Sequence, residues 1–244
     1  MEKGMSEAVQ RADGFVAVSE GVRHDFSKYF SVSDKKVKII PNAAGGVFRP
    51  LSDREKMKAT LLRHGVSFPY LLFVGSLEPV KNVCGLLRAY ERICRQIPHH
   101  LLLVGVRGWR HEEILTLRAE LGLEEKVHWI GYIPSEELVF FYNMADIFIY
   151  PSFYEGFGIP ILEAFQCGTP VITSNTSAMA EVASDAASLI DPYDVENISK
   201  AMLELIRNRE LRETLSKKGL ERAGQFSWRK AASEMLTLFK EVSA

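Results

Sequence analysis

The sequence predicts an α/β fold of the doubly wound class: a parallel sheet with helices on both faces. Short, almost wholly apolar runs recur along the chain, and segments of helical spacing separate them. Continuous apolarity over four or five residues suits a strand buried on both faces, whereas a half-solvated strand alternates. Several of the runs also end in glycine or proline. Such residues let the chain turn sharply at the carboxyl ends of strands, where open α/β sheets collect their ligands.

Taken in order, the first fifty residues predict a short helix over Ser6–Arg11 and a strand at Phe15–Val18. A helix over Ser19–Phe30 and a strand at Val37–Ile40 follow. Two strands and two short helices bury too little to close a core. Pro41–Gly46 has linker composition. Residues 1–48 are therefore expected to be the end of a preceding domain plus its linker. Residues 49–244 are expected to form the main domain, opening with a helix over Asp53–His64. Its strands are predicted at Tyr70–Val74, Leu101–Val104, Val127–Ile130, Ile147–Tyr150 and Val171–Thr173, with a weaker one at Ser188–Ile190. Between them, helices are expected over Asn82–Ile97, His111–Leu121, Ser135–Met144 and Pro160–Cys167. The alternation is that of βαβ units. The last eighty residues read as mostly helical, in segments Val195–Asn208, Leu211–Ala223 and Ser227–Val242, with Ser227 as an N-cap.

Composition excludes several classes. The 47% hydrophobic content is that of a packed globular chain. Thirty Lys and Arg against 31 Asp and Glu leave no broad basic field, so no nucleic-acid partner is expected. Cys84, Cys94 and Cys167 form no CxxC pair and read as reduced thiols of a cytoplasmic protein. No apolar run approaches the roughly 20 residues of a membrane span. The polar N-terminus is not that of a signal peptide.

The most informative stretch runs from Pro151 to Glu163 (PSFYEGFGIPILE). It follows the Ile147 strand and opens a helix in which Pro160 occupies the first turn, where its missing N–H costs nothing. The N–H groups of Phe157, Gly158 and Ile159 are then free to meet an anion at a helix N-terminus. Gly156 and Gly158 remove side chains that would block close approach. Glu155 precedes the helix and Glu163 is placed in its first turn. Carboxylates suit sugar hydroxyls, because each oxygen accepts more than one hydrogen bond. The competing reading is a solvated Glu155 and a Glu163 that merely complements the helix dipole. A second stretch, Gly75-Ser76 to Lys81-Asn82, places a lysine at a helix start, where only a bound anion favours a cation. The bland alternative is a solvated loop lysine. Arg107, after the strand at Leu101, is a third candidate for a diphosphate. Gly131, Tyr132 and Ile133 form a fourth, with backbone set to meet a base edge. An exposed loop arginine and a plain strand exit are the competing readings.

Other chemistries lack their signatures. There is no GxGxxG, Walker loop, Asp-x-Asp, histidine metal spacing or Gly-x-Ser-x-Gly elbow. His99-His100 is read as a polar loop end.

Glu155 and Glu163, with seven residues between them and Gly-Phe-Gly inside, resemble the paired-glutamate motif of the GT-B glycosyltransferases of family 4. The loop ending in Lys81-Asn82 resembles that family's G-R-L-x-x-x-K-[GN] loop, and Ala164–Ile172 (AFQCGTPVI) resembles the segment after its second glutamate. The resemblance spans about Asp13 to the C-terminus. It implies a Rossmann-like C-terminal domain that binds a nucleotide-diphosphate sugar, GDP- or UDP-linked, and transfers the hexose with retention and without a metal ion or other cofactor. By this resemblance Lys81 holds the diphosphate, Glu155 contacts the transferred sugar and Glu163 holds the ribose. Gly156, Phe157 and Gly158 cradle sugar and phosphate, and Gly131 to Ile133 line the base. The Gly-Ser-Leu-Glu-Pro form looks most like mannosyltransferases. Ser76 stands where the family usually carries Arg, and Arg107 is the candidate substitute. A glycan or lipid-linked acceptor is implied, held by an N-terminal domain of which only the last part is expected here, with on the order of 150 residues of it missing. Peripheral membrane association is compatible with such an acceptor.

Overall fold

The computed structural model describes residues 7, 9–33 and 36–243, so the helix expected over Ser6–Arg11 lies partly outside the described residues. A small first unit contains β1 (Phe15–Ala17), α1 (Glu20–Phe30) and β2 (Val37–Ile39), with β1 and β2 paired in parallel. Ser19 caps α1, its hydroxyl accepting from Val22 N–H at 3.1 Å. The main unit opens with α2 (Arg54–Arg63), capped by Asp53.

Six parallel strands follow: β3 (Tyr70–Val74), β4 (His100–Val104), β5 (Val127–Gly131), β6 (Ile147–Tyr150), β7 (Val171–Ser174) and β8 (Ser188–Ile190). Their order in the sheet is β5-β4-β3-β6-β7-β8. The connecting helices are α3 (Val83–Glu91), α4 (His111–Glu120), α5 (Ser135–Met144), α6 (Ile159–Gln166) and α7 (Ser177–Ala183). Helices α8 (Val195–Arg207), α9 (Arg209–Ala223) and α10 (Trp228–Val242) complete the chain. From β3 the chain winds outward one way, then crosses back and winds the other way from β6. Right-handed crossovers then put α3 and α4 on one face and α6 and α7 on the other. Accordingly α3 packs on α4 and α8, and α6 packs on α9 and α5.

The predicted apolar runs are the observed strands, and one hydrophobic cluster joins those of the six-stranded sheet. Every residue of β3, β6 and β7 is buried. Strand β5 departs from the expectation of burial on both faces: it is an edge strand, and only Val127 is fully buried. Helix α3 ends at Glu91 rather than Ile97, although Ile93 and Ile97 remain in the core through the turns that follow. His100 is not a loop end. It opens β4, stacks on Phe68 at 3.8 Å, and its Nδ1 lies 2.8 Å from His128 Nε2. Burial, then the charges of Lys126 and His128, push the His100 imidazole down to about 4. Ser227 caps α10 as predicted. That helix has no buried residue, and Trp228, Leu236 and Phe239 are exposed.

Candidate functional site

In this strand order the chain reverses direction between β3 and β6, and the exits of those two paired strands lie side by side at the carboxyl edge of the sheet, where open α/β folds place their ligands. Lys81 follows β3 and Glu155 follows β6. They meet as an ion pair of 2.6 Å, with side chains only 16% and 13% exposed. Lys81 also donates to the Tyr150 hydroxyl at 3.0 Å. Burial first, then the negative charge of Glu155, raises the Tyr150 hydroxyl pKa, and Glu163 adds to it. The last residue of β6 thus senses both carboxylates. Lys81 is not itself at the helix start. It ends a 3-10 turn (Pro79–Lys81), and Asn82 is the N-cap of α3.

Asn82 adopts the left-handed conformation, φ 54°, and is 5% exposed. Its amide donates to the Pro151 carbonyl at 3.2 Å and the Pro192 carbonyl at 2.7 Å, while its Oδ1 accepts from Gly85 N–H. One side chain therefore ties the exits of β3, β6 and β8 together. A Cβ on Gly85 would lie 2.3 Å from Asn82 Oδ1, so the glycine leaves room for this clamp.

The loop after β6 has no ladder to satisfy its carbonyls, and side chains do so instead. Thr173 donates to the Tyr150 carbonyl at 2.9 Å, Asn82 to that of Pro151, and Ser174 to that of Ser152 at 2.6 Å. Thr176 donates to the Phe153 carbonyl at 3.2 Å and Ser19 to that of Gly156 at 2.8 Å. Glu155 N–H donates to Ser177 Oγ at 3.1 Å. The loop is thus fixed along its length.

Beyond it the N–H groups of Gly156, Phe157, Gly158 and Ile159 donate to no protein acceptor among the described residues. Gly158 is the N-cap of α6 with φ 101° and offers no capping side chain. The Phe157 ring is buried and packs edge-on against Phe226 at 5.9 Å. A row of free amides at a helix start, beside a lysine, suits an anion.

Glu163 corrects the sequence reading. It is the fifth residue of α6, in the second turn, and no acidic residue lies in the first. A dipole-complementing role falls away, because that effect fades beyond the first turn. Its Oε2 accepts from the Tyr142 hydroxyl at 2.8 Å. Burial raises its pKa above the ordinary carboxylate value, and the Tyr142 hydrogen bond pulls the other way.

The outer candidates line the exits of β3 to β5. Gly75 N–H donates to the Val104 carbonyl at 2.9 Å and Gly105 N–H to the Gly131 carbonyl at 2.8 Å; β3 and β4 keep register to their ends, whereas β4 and β5 slip between Leu103 and Val104. Tyr132 is 71% exposed and Ile133 is buried. Ser76 is half-buried, and its carbonyl accepts from Glu78 N–H. Arg107 is exposed and lies over the Trp129 ring at 4.9 Å. Its described contacts do not join it to Lys81 or Glu155. Among the described residues no group of three or more His, Cys, Asp or Glu is placed to hold a metal ion.

The family described as Glycosyl transferases group 1 matches residues 55–222. The chain belongs to this family. It is 35% identical to the O-antigen chain mannosyltransferase B of Escherichia coli over 98% of its own length, and it spans 64% of that longer protein. The sucrose-phosphate synthase of Thermosynechococcus elongatus superposes with a TM-score of 0.83 at 26% identity, covering 98% of this chain and 60% of that one. Anabaena HepE, solved with UDP and glucose, superposes at 0.85 with 18% identity, covering 94% and 64%. The fold is therefore GT-B, with a Rossmann-like doubly wound sheet.

In this glycosyltransferase family member, sequence reasoning singled out Lys81, Glu155 and Glu163 but missed the residues that hold them. Tyr150 was absorbed into an apolar strand. Its place as the last residue before Pro151 was the available signal. Tyr142 sits on the apolar face of α5 and gave none. Asn82 stands out in the sequence only as part of a motif. Ser19 was recognised as a helix start, but its second partner lies 137 residues away.

Proposed function

We propose that this chain is the donor-binding part of a retaining glycosyltransferase that moves a hexose, mannose in the first instance, from a nucleoside-diphosphate sugar to a glycan or lipid-linked acceptor. The observation that carries the reading is Lys81 paired with Glu155 at the switch point, beside the unpartnered amides of Gly156 to Ile159. Lys81 and those amides take the diphosphate. As the bond from sugar to phosphate breaks, charge grows on the phosphate oxygen, and prearranged donors stabilise it in place of water. Glu155 holds the transferred sugar and Glu163 the ribose hydroxyls. Gly75, Ser76 and Arg107 border the diphosphate, and Gly131 to Ile133 the base. Mannose is favoured by the likeness to an enzyme named as a mannosyltransferase.

We infer a domain boundary near Arg49; the pairing of β1 and β2 with each other and not with the six-stranded sheet supports it. Acceptor recognition is assigned to the part of the longer relatives that this chain does not span. That shortfall favours a second reading, a nucleotide-sugar-binding module without turnover alone. A cytoplasmic setting agrees with three free cysteines and with the lack, among the described residues, of a helix long and apolar enough to cross a membrane.

Titration calorimetry with GDP, UDP, GDP-mannose and UDP-glucose tests the reading. Binding by the wild type, weakened in Glu163→Ala, is expected. No binding of either nucleotide up to millimolar concentration would overturn both readings. Nucleoside-diphosphate release with and without acceptor then separates the enzyme from the binding module.

A further inference from the structure

The amide row at the start of α6 poses a positional problem. Gly156 has no side chain to restrict its torsions, so the peptide joining it to Phe157 needs an outside constraint to keep one orientation. The constraint comes from the first unit. Ser19 is fully buried, its hydroxyl accepts from Val22 N–H, and it donates to the Gly156 carbonyl at 2.8 Å. A peptide is planar and trans, so its C=O and N–H point in opposite directions. Holding the Gly156 carbonyl on Ser19 therefore turns the Phe157 N–H away from α1, where it meets no protein acceptor.

Two other hydrogen bonds dock the same helix. Tyr154 donates to Asp25 Oδ2 at 2.9 Å, and Glu20 N–H donates to the Glu181 carboxylate at 2.9 Å. Neither touches the backbone of the turn. Ser19 alone, among these docking contacts, reaches it.

The geometry points to Ser19 as a positioning residue of the donor site: its hydroxyl, supplied by the first fifty residues, sets the Gly156–Phe157 peptide so that the Phe157 amide is offered to the diphosphate sugar. This rests on the donor-binding reading. It adds that the first unit completes the phosphate cradle without touching the ligand.

Ser19→Gly separates this role from helix capping, because glycine at an N-cap costs only a few tenths of a kcal/mol. Ser19→Thr keeps the hydroxyl. Tyr154→Phe removes a docking bond and leaves the turn alone. Calorimetry with GDP and UDP is expected to show affinity down on the order of tenfold in Ser19→Gly, the scale of one hydrogen bond to a charged group. Ser19→Thr and Tyr154→Phe should stay within about threefold of wild type, the scale of less than 1 kcal/mol. A crystal structure of free Ser19→Gly is expected to show the Gly156–Phe157 peptide rotated. Wild-type affinity in Ser19→Gly, or an equal loss in Tyr154→Phe, overturns the assignment. If the wild type binds neither nucleotide, the donor-binding reading has failed. The crystal structure then decides by itself: a rotated peptide upholds Ser19 as the residue that sets the turn, and an unchanged one overturns it.

Discussion

Lys81 and Glu155 are both assigned to the donor, yet without ligand they hold each other. The two members of the pair should therefore respond oppositely when neutralised. At 2.6 Å and an effective dielectric constant of about 20, the gross attraction is about 6 kcal/mol. Desolvation of two side chains this well covered offsets much of it. Lys81→Met leaves the Glu155 carboxylate without its cation, and an unpaired buried charge of this kind costs about 3 kcal/mol. In the double variant Lys81→Met/Glu155→Gln most of that loss should return, because no charge is left stranded. Urea denaturation of the four proteins measures both effects.

Nucleotide binding gives the sharper contrast. A diphosphate must draw Lys81 from Glu155 and bring its own negative charge close to that carboxylate. Lys81→Met loses a charge-assisted hydrogen bond, about 1.5–3 kcal/mol, or roughly 10- to 150-fold in Kd for GDP or UDP. Glu155→Gln removes the competitor and should tighten the same Kd by about threefold to tenfold, about 1 kcal/mol. It should also slow sugar transfer, because the hydroxyl contact of the carboxylate is gone. Calorimetry with the bare nucleotide and a release assay with the full donor report the two effects separately. If Glu155→Gln weakens nucleotide binding as much as Lys81→Met does, the pair is a joint ligand rather than an internal competition, and the reasoning is wrong.

Other outcomes follow from the same geometry. The His100 pKa of about 4 lies below its unfolded value of roughly 6.5, so the unfolded chain binds more protons between those limits and stability falls as pH drops through them. Discounted for solvent screening, the loss is on the order of 1 kcal/mol. Denaturation midpoints at pH 7 and 5 should show it, and His100→Gln should flatten it. Glu163 carries a raised pKa, and the Tyr142 hydrogen bond favours its ionised form. Nucleotide affinity should therefore fade on acidification, and Tyr142→Phe should move that fade to higher pH, as calorimetry across a pH series would show. A Cβ on Gly105 would sit 2.0 Å from the Gly75 carbonyl oxygen at φ 146°. Gly105→Ala is thus expected to cost about 3 kcal/mol and to lower Tm by about 6–12 °C in a thermal melt.

The sheet was legible because a parallel strand must be apolar on both faces, and Tyr70–Val74 or Ile147–Tyr150 could be little else. Strand β5 is less buried than its apolar run predicts: Trp129 and Ile130 are apolar, but no neighbour covers the outer side of an edge. Helix α3 is shorter than its spacing predicts because Ile93 and Ile97 continue its apolar face through turns that spacing cannot tell from helix. The charged candidates were legible because Lys81, Glu155 and Glu163 stand out in apolar or glycine-rich surroundings. Their supports were not. Thr173 and Ser174 look like ordinary strand residues until the β6 exit lies alongside.

Those supports explain why the site can be stiff without regular structure. Five buried polar side chains sit around one strand exit: Ser19, Asn82, Ser152, Thr173 and Ser174. Four of them donate to carbonyls between Tyr150 and Gly156. A flexible loop would lose conformational entropy each time a donor bound. On the donor-binding reading that cost is already met in folding, by hydrogen bonds to carbonyls on the side of the loop away from the free amides. The same bonds leave the next four amides without partners, at a cost the fold tolerates only because solvent, or a diphosphate, satisfies them. Rigidity up to Gly156 and vacancy after it are thus two sides of one arrangement. Loosening the clamps should harm binding even though no clamp touches the ligand.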